Sequence, residues 1–233
     1  MNANHKGSAM RYRNTVEPLQ SAARLSLLLM FAAGLSACGV IDKPTRTSVY
    51  DFGPGVLSGP VAAAPGGVRA ALVLADIEAA GALDNTAVLY RLAYVDANQL
   101  RPYAQARWSA PPAQLVRQRL RDQLGRDRVV LSPGENAALA RAKLASALPL
   151  RVLRIELEEF SHFFENPGQS LGLLRLRATL LETTPAGEQL LAQRSITIRQ
   201  PAVGNNAPAG VRALAAASDA AAQEIGQWLG QQP

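Results

Sequence analysis

The sequence offers few side chains that could carry out nucleophilic or acid–base chemistry. It contains two histidines, and one of them, His162, directly follows Ser161. A serine beside a histidine could supply a nucleophile and its general base. Adjacent residues of a β-strand point to opposite faces of a sheet, however, so we interpret His162 as an imidazole at the end of a strand, before a hairpin turn. A hydrolase that uses His162 is the alternative hypothesis.

Three glutamates, Glu156, Glu158 and Glu159, lie close together in the sequence and could form a metal site or a general acid–base pair. Because Glu156 and Glu158 alternate with apolar residues, we interpret them as part of a solvated sheet face. The chain also has no phosphate-binding or dinucleotide-binding glycine motif. We therefore predict no catalytic residue, no metal site and no cofactor.

The single cysteine, Cys38, has the clearest chemical context. A lone thiol excludes an internal disulfide and any metal site built from several thiolates. The apolar run at residues 25–35 is shorter than the roughly 20 residues of a membrane span, and it is typical of a secretory signal peptide. The segment that follows, Leu35-Ser36-Ala37-Cys38-Gly39, resembles a bacterial lipobox.

The lipobox resemblance implies that Cys38 is lipidated. Residues 1–37 would be a lipoprotein signal peptide that is cut before Cys38, whose thiolate takes a diacylglyceryl group and whose new N-terminus is acylated. Several acyl chains give stable anchoring where one would not. Gly39 stands where an aspartate would retain a lipoprotein in the inner membrane, so the resemblance implies the outer membrane. An ordinary signal peptide with an incidental cysteine is the alternative.

The composition predicts a folded domain on this anchor. Of 233 residues, 48% are hydrophobic and 18% are charged, which is sufficient for a core. The formal net charge is +6, and half of it belongs to the first 37 residues. The remainder does not indicate a nucleic-acid partner. We interpret the basic stretch from Arg117 to Arg128 as a solvated helix face, with a contact to anionic lipid or an acidic partner as the alternative.

Two regions follow Cys38. Residues 38–67 are rich in small residues and proline, and they predict a flexible leash with one short segment at Ser48 to Phe52. Residues 68–233 alternate strand and helix patterns. The predicted strands are 68–77, 86–92, 100–108, 128–131, 151–160, 172–183 and 190–199, and the predicted helices are 109–125, 135–146 and 211–229. We predict an α+β domain with a single, largely antiparallel sheet and two to three helices packed on it.

The order of these features resembles the ABC-type transport auxiliary lipoproteins, or PqiC-like lipoproteins, of Gram-negative bacteria. The segments that carry the resemblance are Tyr50-Asp51-Phe52-Gly53, Val88-Leu89-Tyr90-Arg91, Tyr103, Arg107 to Pro112, Leu176 to Thr183, Arg194 to Ile198 and Val211 to Leu214. The resemblance implies a non-enzymatic accessory of a system that moves lipids or other hydrophobic compounds across the periplasm. Its implied partners are an MCE-domain protein and the ABC permease and ATPase complex.

The resemblance is densest around Tyr90, Arg91 and Trp108. Interface energy concentrates in aromatic and arginine side chains, so we predict that these residues contact the partner, with core packing of the rings as the alternative. A stand-alone outer-membrane lipoprotein that binds lipid or lipopolysaccharide is the alternative function, and it would need an apolar cavity. Homo-oligomerisation is left open.

Overall fold

The computed structural model describes residues 46–55, 69, 71–135, 138 and 150–232. Within these residues the strands are β1 (Ser48–Tyr50), β2 (Leu72–Leu74), β3 (Glu78–Ala79), β4 (Ala87–Leu92), β5 (Arg101–Trp108), β6 (Val130–Leu131), β7 (Arg151–Asn166), β8 (Gln169–Thr184) and β9 (Gly187–Pro201). The α-helices are α1 (Ala93–Asp96), α2 (Pro112–Leu124) and α3 (Ala207–Gly230), and a 3-10 turn covers Gly81–Leu83.

The strands form one mixed sheet, so the α+β class fits but the prediction of a largely antiparallel sheet is not confirmed. Strand β7 forms the centre: β8 pairs with it antiparallel on one side, and β2, β3 and β4 pair with it in parallel along the other. Strands β1 and β6 also pair in parallel, with β5 and β2. The remaining pairings, β4 with β5 and β8 with β9, are antiparallel. Parallel pairs need crossover connections, and these leave no short turn signal in a sequence.

The predicted alternation of β7, β8 and β9 explains how the core forms. Leu153, Ile155 and Leu157 are buried on the face that also carries Leu174 and Leu176 of β8, as their spacing predicts. Helix α3 packs against β8 and β9, and α2 packs against α3. The helix lies very close to the sheet at Gly172, where a Cβ would come within 2.6 Å of the Ala213 carbonyl carbon.

Several predicted boundaries shift in the structure. Strand β7 continues to Asn166, six residues beyond the predicted end, so His162 lies inside a strand rather than at its end. The segment predicted as strand 68–77 contains only the three residues of β2, and the short β3 follows it. The predicted leash contributes β1 to the sheet, so the folded unit includes residues N-terminal to position 68. The signal peptide, Cys38 and almost all of the predicted helix 135–146 lie outside the described residues.

Candidate functional site

Arg91 of β4 forms an ion pair with Glu159 of β7, next to a β-bulge. The register between β7 and β8 shifts between Leu157 and Glu159. The Arg91 Nε and Nη2 atoms donate to the two carboxylate oxygens of Glu159 at 3.0 and 2.9 Å, the two-point geometry that makes such pairs strong. Ser161 donates a further hydrogen bond of 2.6 Å to Glu159. This pair fastens β4 to the middle of the sheet.

The same guanidinium also holds the loop after α1. Its Nη1 atom donates to the carbonyl oxygens of Ala97 and Asn98, both at 3.2 Å. The Arg91 side chain is only 18% exposed, and that of Glu159 is 11% exposed. Truncating Arg91 would leave a buried carboxylate unpaired, which typically costs about 3 kcal/mol or more. We therefore interpret Arg91 as a residue that positions α1.

The structure does not bring the three predicted contact residues onto one surface. Trp108 is 2% exposed, and its ring packs edge-on against Phe52, with centroids 5.5 Å apart. Tyr90 is half-buried, and its ring lies 4.6 Å from that of Tyr103. Arg91 follows Tyr90 in β4 and so points to the other face of the sheet. Trp108 is therefore a core residue, which is the alternative role of the rings.

Exposed apolar side chains occur next to this region, on the single turn of α1. Tyr94 is 46% exposed and Val95 is 62% exposed. No sequence signal distinguishes Val95, since a single valine in a short connection has no periodic pattern. Helix α1 packs against β7, at the end of β4 that Arg91 fixes. The exposed pair Tyr94 and Val95 is therefore held in place by a buried arginine.

His162 is fully buried and hydrogen-bonded through both ring nitrogens. The Tyr103 hydroxyl lies 2.8 Å from Nδ1, and the Ser170 hydroxyl lies 2.9 Å from Nε2. Ser170 donates to Asn205 Oδ1 at 3.0 Å, and the Asn205 amide group donates to the Pro167 carbonyl, which fixes the orientation of that side chain. Nε2 consequently carries the proton and donates to Ser170, while Nδ1 accepts from Tyr103.

This chain of hydrogen bonds connects the sheet to the start of α3. Asn205 lies in the loop before the helix, and Asn206 caps the helix by accepting from the amide of Ala209 at 3.0 Å. Gly210 of α3 lies directly over the imidazole, because a Cβ there would be 2.4 Å from Nδ1. Ser161 contacts Glu159 rather than His162, as expected from strand geometry. Sequence reasoning missed Ser170, whose contact with His162 depends on the pairing of β7 with β8.

Burial lowers the pKa of His162 to about 4, and burial together with the neighbouring Tyr90 raises the pKa of Tyr103. The Ser170 and His162 pair lies inside the packed fold, where a substrate has no access. The geometry therefore fits a neutral structural imidazole rather than a general base.

These contacts predict how the stability of the folded domain depends on pH. His162 stays neutral in the fold down to about pH 4, while the unfolded chain takes up its proton near pH 6.5. The unfolded state binds more protons between these values, so stability is fully present above pH 6.5 and falls as the pH drops towards 4. The expected loss is about 3 kcal/mol. Urea unfolding of residues 39–233 at several pH values measures it.

The matched control is His162→Gln, which keeps a neutral side chain that can form hydrogen bonds. Carboxylates contribute to the acid slope of both proteins, so the difference between the two slopes isolates the imidazole. The other histidine, His5, is absent from residues 39–233. Equal slopes for the two proteins between pH 6.5 and 4 would contradict the assignment.

The glutamates on the outer face of the sheet are matched by arginines. Glu158 accepts from Arg175 at 2.9 Å and from Arg177 at 2.8 Å, and Glu156 lies 3.8 Å from Arg177. In the part of the chain that the structure describes, no three His, Cys, Asp or Glu side chains are grouped so that they could hold a metal ion. None of the helices in the described ranges is long and apolar enough to cross a membrane.

Comparison with known proteins places the chain in a family. A family model described as the ABC-type transport auxiliary lipoprotein component matches residues 56–226. The chain belongs to this family. The resemblance inferred from the sequence is thereby confirmed, and the auxiliary lipoprotein is a member of a family of transport components rather than of an enzyme family.

Solved structures share the fold of the auxiliary lipoprotein. A protein from Xanthomonas campestris, described as a DUF330 member, is 17% identical, with a TM-score of 0.59 and coverage of 78% of this chain and 94% of that one. A second crystal structure, of an uncharacterized protein, is 14% identical, with a TM-score of 0.51 and coverage of 79% and 99%. No curated protein matches the chain.

Proposed function

We propose that the auxiliary lipoprotein is a non-enzymatic, membrane-anchored contact component of an ABC transport system. The cargo would be lipids or other hydrophobic compounds, carried through the periplasm by an MCE-domain protein. The match of the family model over residues 56–226 carries this proposal. The buried, neutral state of His162 supports the absence of catalysis, because a general base must reach its substrate.

The proposed anchor is the lipid on Cys38, and the proposed location is the periplasmic face of the outer membrane. Membership of a lipoprotein family supports an anchor. The choice of membrane rests on Gly39, which occupies the position of the retaining aspartate. A lipoprotein in that position could receive the far end of an assembly whose permease and ATPase lie in the inner membrane.

Two grooves formed by described residues favour a contact role over stand-alone lipid binding. A groove of about 630 Å³ beside α2 is lined by Asp76, Asp84, Arg117 and Arg121 among other residues. A second groove, of about 570 Å³ between α2 and α3, is lined by four glutamines, Arg69 and Asp127 together with Leu124 and two glycines. Ligand pockets for apolar molecules are lined predominantly by apolar side chains. These grooves are polar, which weighs against a lipid chaperone.

The surface that we propose for the partner is α1, with Tyr94 and Val95 at its centre. These side chains are exposed and apolar, and they follow the segment in which the family resemblance is densest. Arg91 contributes indirectly, by holding the loop after α1 through the carbonyls of Ala97 and Asn98. An aromatic side chain on a well-supported turn is a typical centre of interface energy.

Replacing Val95 with aspartate should weaken capture of the MCE partner at least tenfold, because a charge would lose its hydration in the interface. The matched control is Val129→Asp, since Val129 is also an exposed valine, at 58%, but lies in the loop between α2 and β6. Capture of the purified MCE protein by the immobilised lipoprotein measures both variants. Equal capture by both would refute the α1 surface.

A further inference from the structure

Residues 46–55, here called the strap, connect the region that follows Cys38 to the folded domain. Its strand β1 pairs in parallel with the end of β5, and Tyr50 lies opposite Trp108. The Tyr50 carbonyl also accepts a hydrogen bond of 2.7 Å from the amide of Ser109. Three paired residues at a sheet edge provide only a small part of the attachment, so other contacts must hold the strap.

Phe52 provides the main apolar contact of the strap. Its ring centroid lies 5.5 Å from that of Trp108 in an edge-on arrangement, and 6.0 Å from that of Phe160. Both partners are among the most buried residues of the core. Such aromatic pairs contribute beyond the burial of their area. The strap is therefore anchored in the core by one side chain.

Arg119 of α2 holds the strap from the helix side. Its Nη2 atom donates a hydrogen bond of 2.6 Å to the Phe52 carbonyl, and its guanidinium carbon lies 5.9 Å from the centroid of the Phe52 ring. Its Nε atom pairs with Asp219 of α3 at 3.1 Å, and the Arg119 side chain is only 11% exposed. One buried guanidinium thus joins the strap to both long helices.

The backbone after Phe52 is shaped to pass Arg119. Gly53 and Gly55 both have φ of +69°, a conformation that favours glycine. A Cβ on Gly55 would lie 2.5 Å from Nη1 of Arg119. The carboxylate of Asp51 accepts from the Gly53 amide at 2.7 Å and stabilises the turn. The segment Tyr50-Asp51-Phe52-Gly53, one of those that carry the family resemblance, therefore has a physical role.

Docking of the strap changes how far the domain can lie from its lipid anchor. Seven residues lie between Cys38 and Arg46, and the eight Cα–Cα steps that join them span at most about 29 Å when fully extended. If the strap were released, the next described strand would be β2, and the 33 Cα–Cα steps from Cys38 to Ala71 could span up to about 119 Å. The docked strap reduces the maximum reach about fourfold.

We propose that the strap is a membrane-side spacer that keeps the domain within about 29 Å of the bilayer, with Arg119 as the residue that positions it. The proposal rests on the lipidation of Cys38 proposed above. It implies that the partner must come to the membrane surface, because the lipoprotein does not extend across the periplasm to meet it. Chain length between Cys38 and Arg46 then determines the reach, whereas length between the strap and β2 does not.

The experiment inserts the same twelve-residue Gly/Ser sequence at two places in the full-length, lipidated protein. One insertion lies between Pro44 and Thr45, before the strap, and the other lies between Leu57 and Ser58, after it. Each adds up to about 43 Å of chain. Ser195→Cys, in exposed β9, accepts a donor dye, since the thiol of Cys38 carries the lipid. Energy transfer to acceptor-labelled lipids in phosphatidylethanolamine and phosphatidylglycerol vesicles reports the distance to the bilayer.

We expect the insertion before the strap to lower the transfer efficiency and the insertion after it to leave the efficiency unchanged. In Arg119→Ala, and independently in Phe52→Ala, the insertion after the strap should lower it as well. Arg212→Ala, an exposed arginine of α3, is the matched control and should behave as the parent. This dependence on the insertion site is a readout that a purely stabilising role of Arg119 would not produce. Thermal melting verifies that each variant is folded.

Equal loss of transfer for the two insertions in the parent protein would overturn the spacer. In another outcome, the insertion after the strap lowers the transfer efficiency in Phe52→Ala and leaves it unchanged in Arg119→Ala. That result would overturn the role of Arg119 alone. A protein that neither incorporates palmitate nor floats with vesicles would overturn the proposed anchor, and the spacer with it. Palmitate labelling therefore separates failure of the proposed function from failure of the spacer.

Discussion

Cys38→Ser should abolish lipid attachment to the chain and leave the precursor poorly processed. The chain contains no other thiol, so no other residue can take the diacylglyceryl group. Processing should be poor because the signal peptidase of lipoproteins requires the lipidated cysteine. Several acyl chains make anchoring effectively stable, and their loss removes about 0.8 kcal/mol of membrane affinity per buried CH₂ group. Labelling with radioactive palmitate and fractionation of the membranes measure the effect.

The companion variant Gly39→Asp keeps the thiol and changes only the residue after it. It should incorporate palmitate at the level of the parent protein and shift from the outer to the inner membrane fraction. A Cys38→Ser protein that still takes up palmitate and sediments with membranes would refute the lipobox. Normal labelling of Gly39→Asp with no change of fraction would refute only the proposed location.

The parts of the fold that sequence predicts well are those that depend on local patterns. The alternation of Leu153, Ile155 and Leu157 with charged residues predicts both the strand β7 and its buried face. Asn166-Pro167-Gly168 predicts the hairpin, and Asn166 does stabilise that turn by accepting from the Gly168 amide at 3.0 Å. The central position of β7 is different, because β2, β3 and β4 join it through crossovers with no comparable sequence signal.

In the candidate site, too, the sequence predicts local features but not the contacts between distant segments. The residue types of Arg91 and Trp108 make them candidates for an interface. The sequence does not show, however, that the carboxylate of Glu159, 68 residues away, pairs with the guanidinium of Arg91. It also cannot show that Phe52 covers the Trp108 ring, since that contact depends on the parallel pairing of β1 with β5. Aromatic and arginine residues are enriched both in cores and at interfaces, so their type alone does not separate the two roles.

His162 illustrates how one misplaced strand end changes a chemical interpretation. A strand that ended at residue 160 would leave the imidazole near solvent, whereas the observed strand continues to Asn166 and buries it. The cause lies in β8, which starts at Gln169 and pairs with the full length of β7, so that His162 lies opposite Gly172. The glycine at that position leaves room for the backbone of α3, and Gly210 of that helix leaves room for the imidazole.

The last helix is expected to be required for folding, because its C-terminal half covers part of the core. Ile225, Trp228 and Leu229 are almost fully buried, and Gly226 lies against Leu124 of α2. Ending the chain at Gln223 removes all three apolar side chains together. Loss of one large buried side chain typically costs about 2–5 kcal/mol, and the total stability of a domain is only about 5–15 kcal/mol.

We therefore expect the protein that ends at Gln223 to lose its cooperative thermal transition, as measured by circular dichroism. The control ends at Gly230, keeps the whole buried face of α3 and should melt within a few degrees of the parent. Trp228→Ala provides an intermediate case, with an expected loss of about 3–5 kcal/mol in urea unfolding. An unchanged melting temperature for the chain that ends at Gln223 would show that this half of α3 does not stabilise the core, and would make it a surface for another molecule instead.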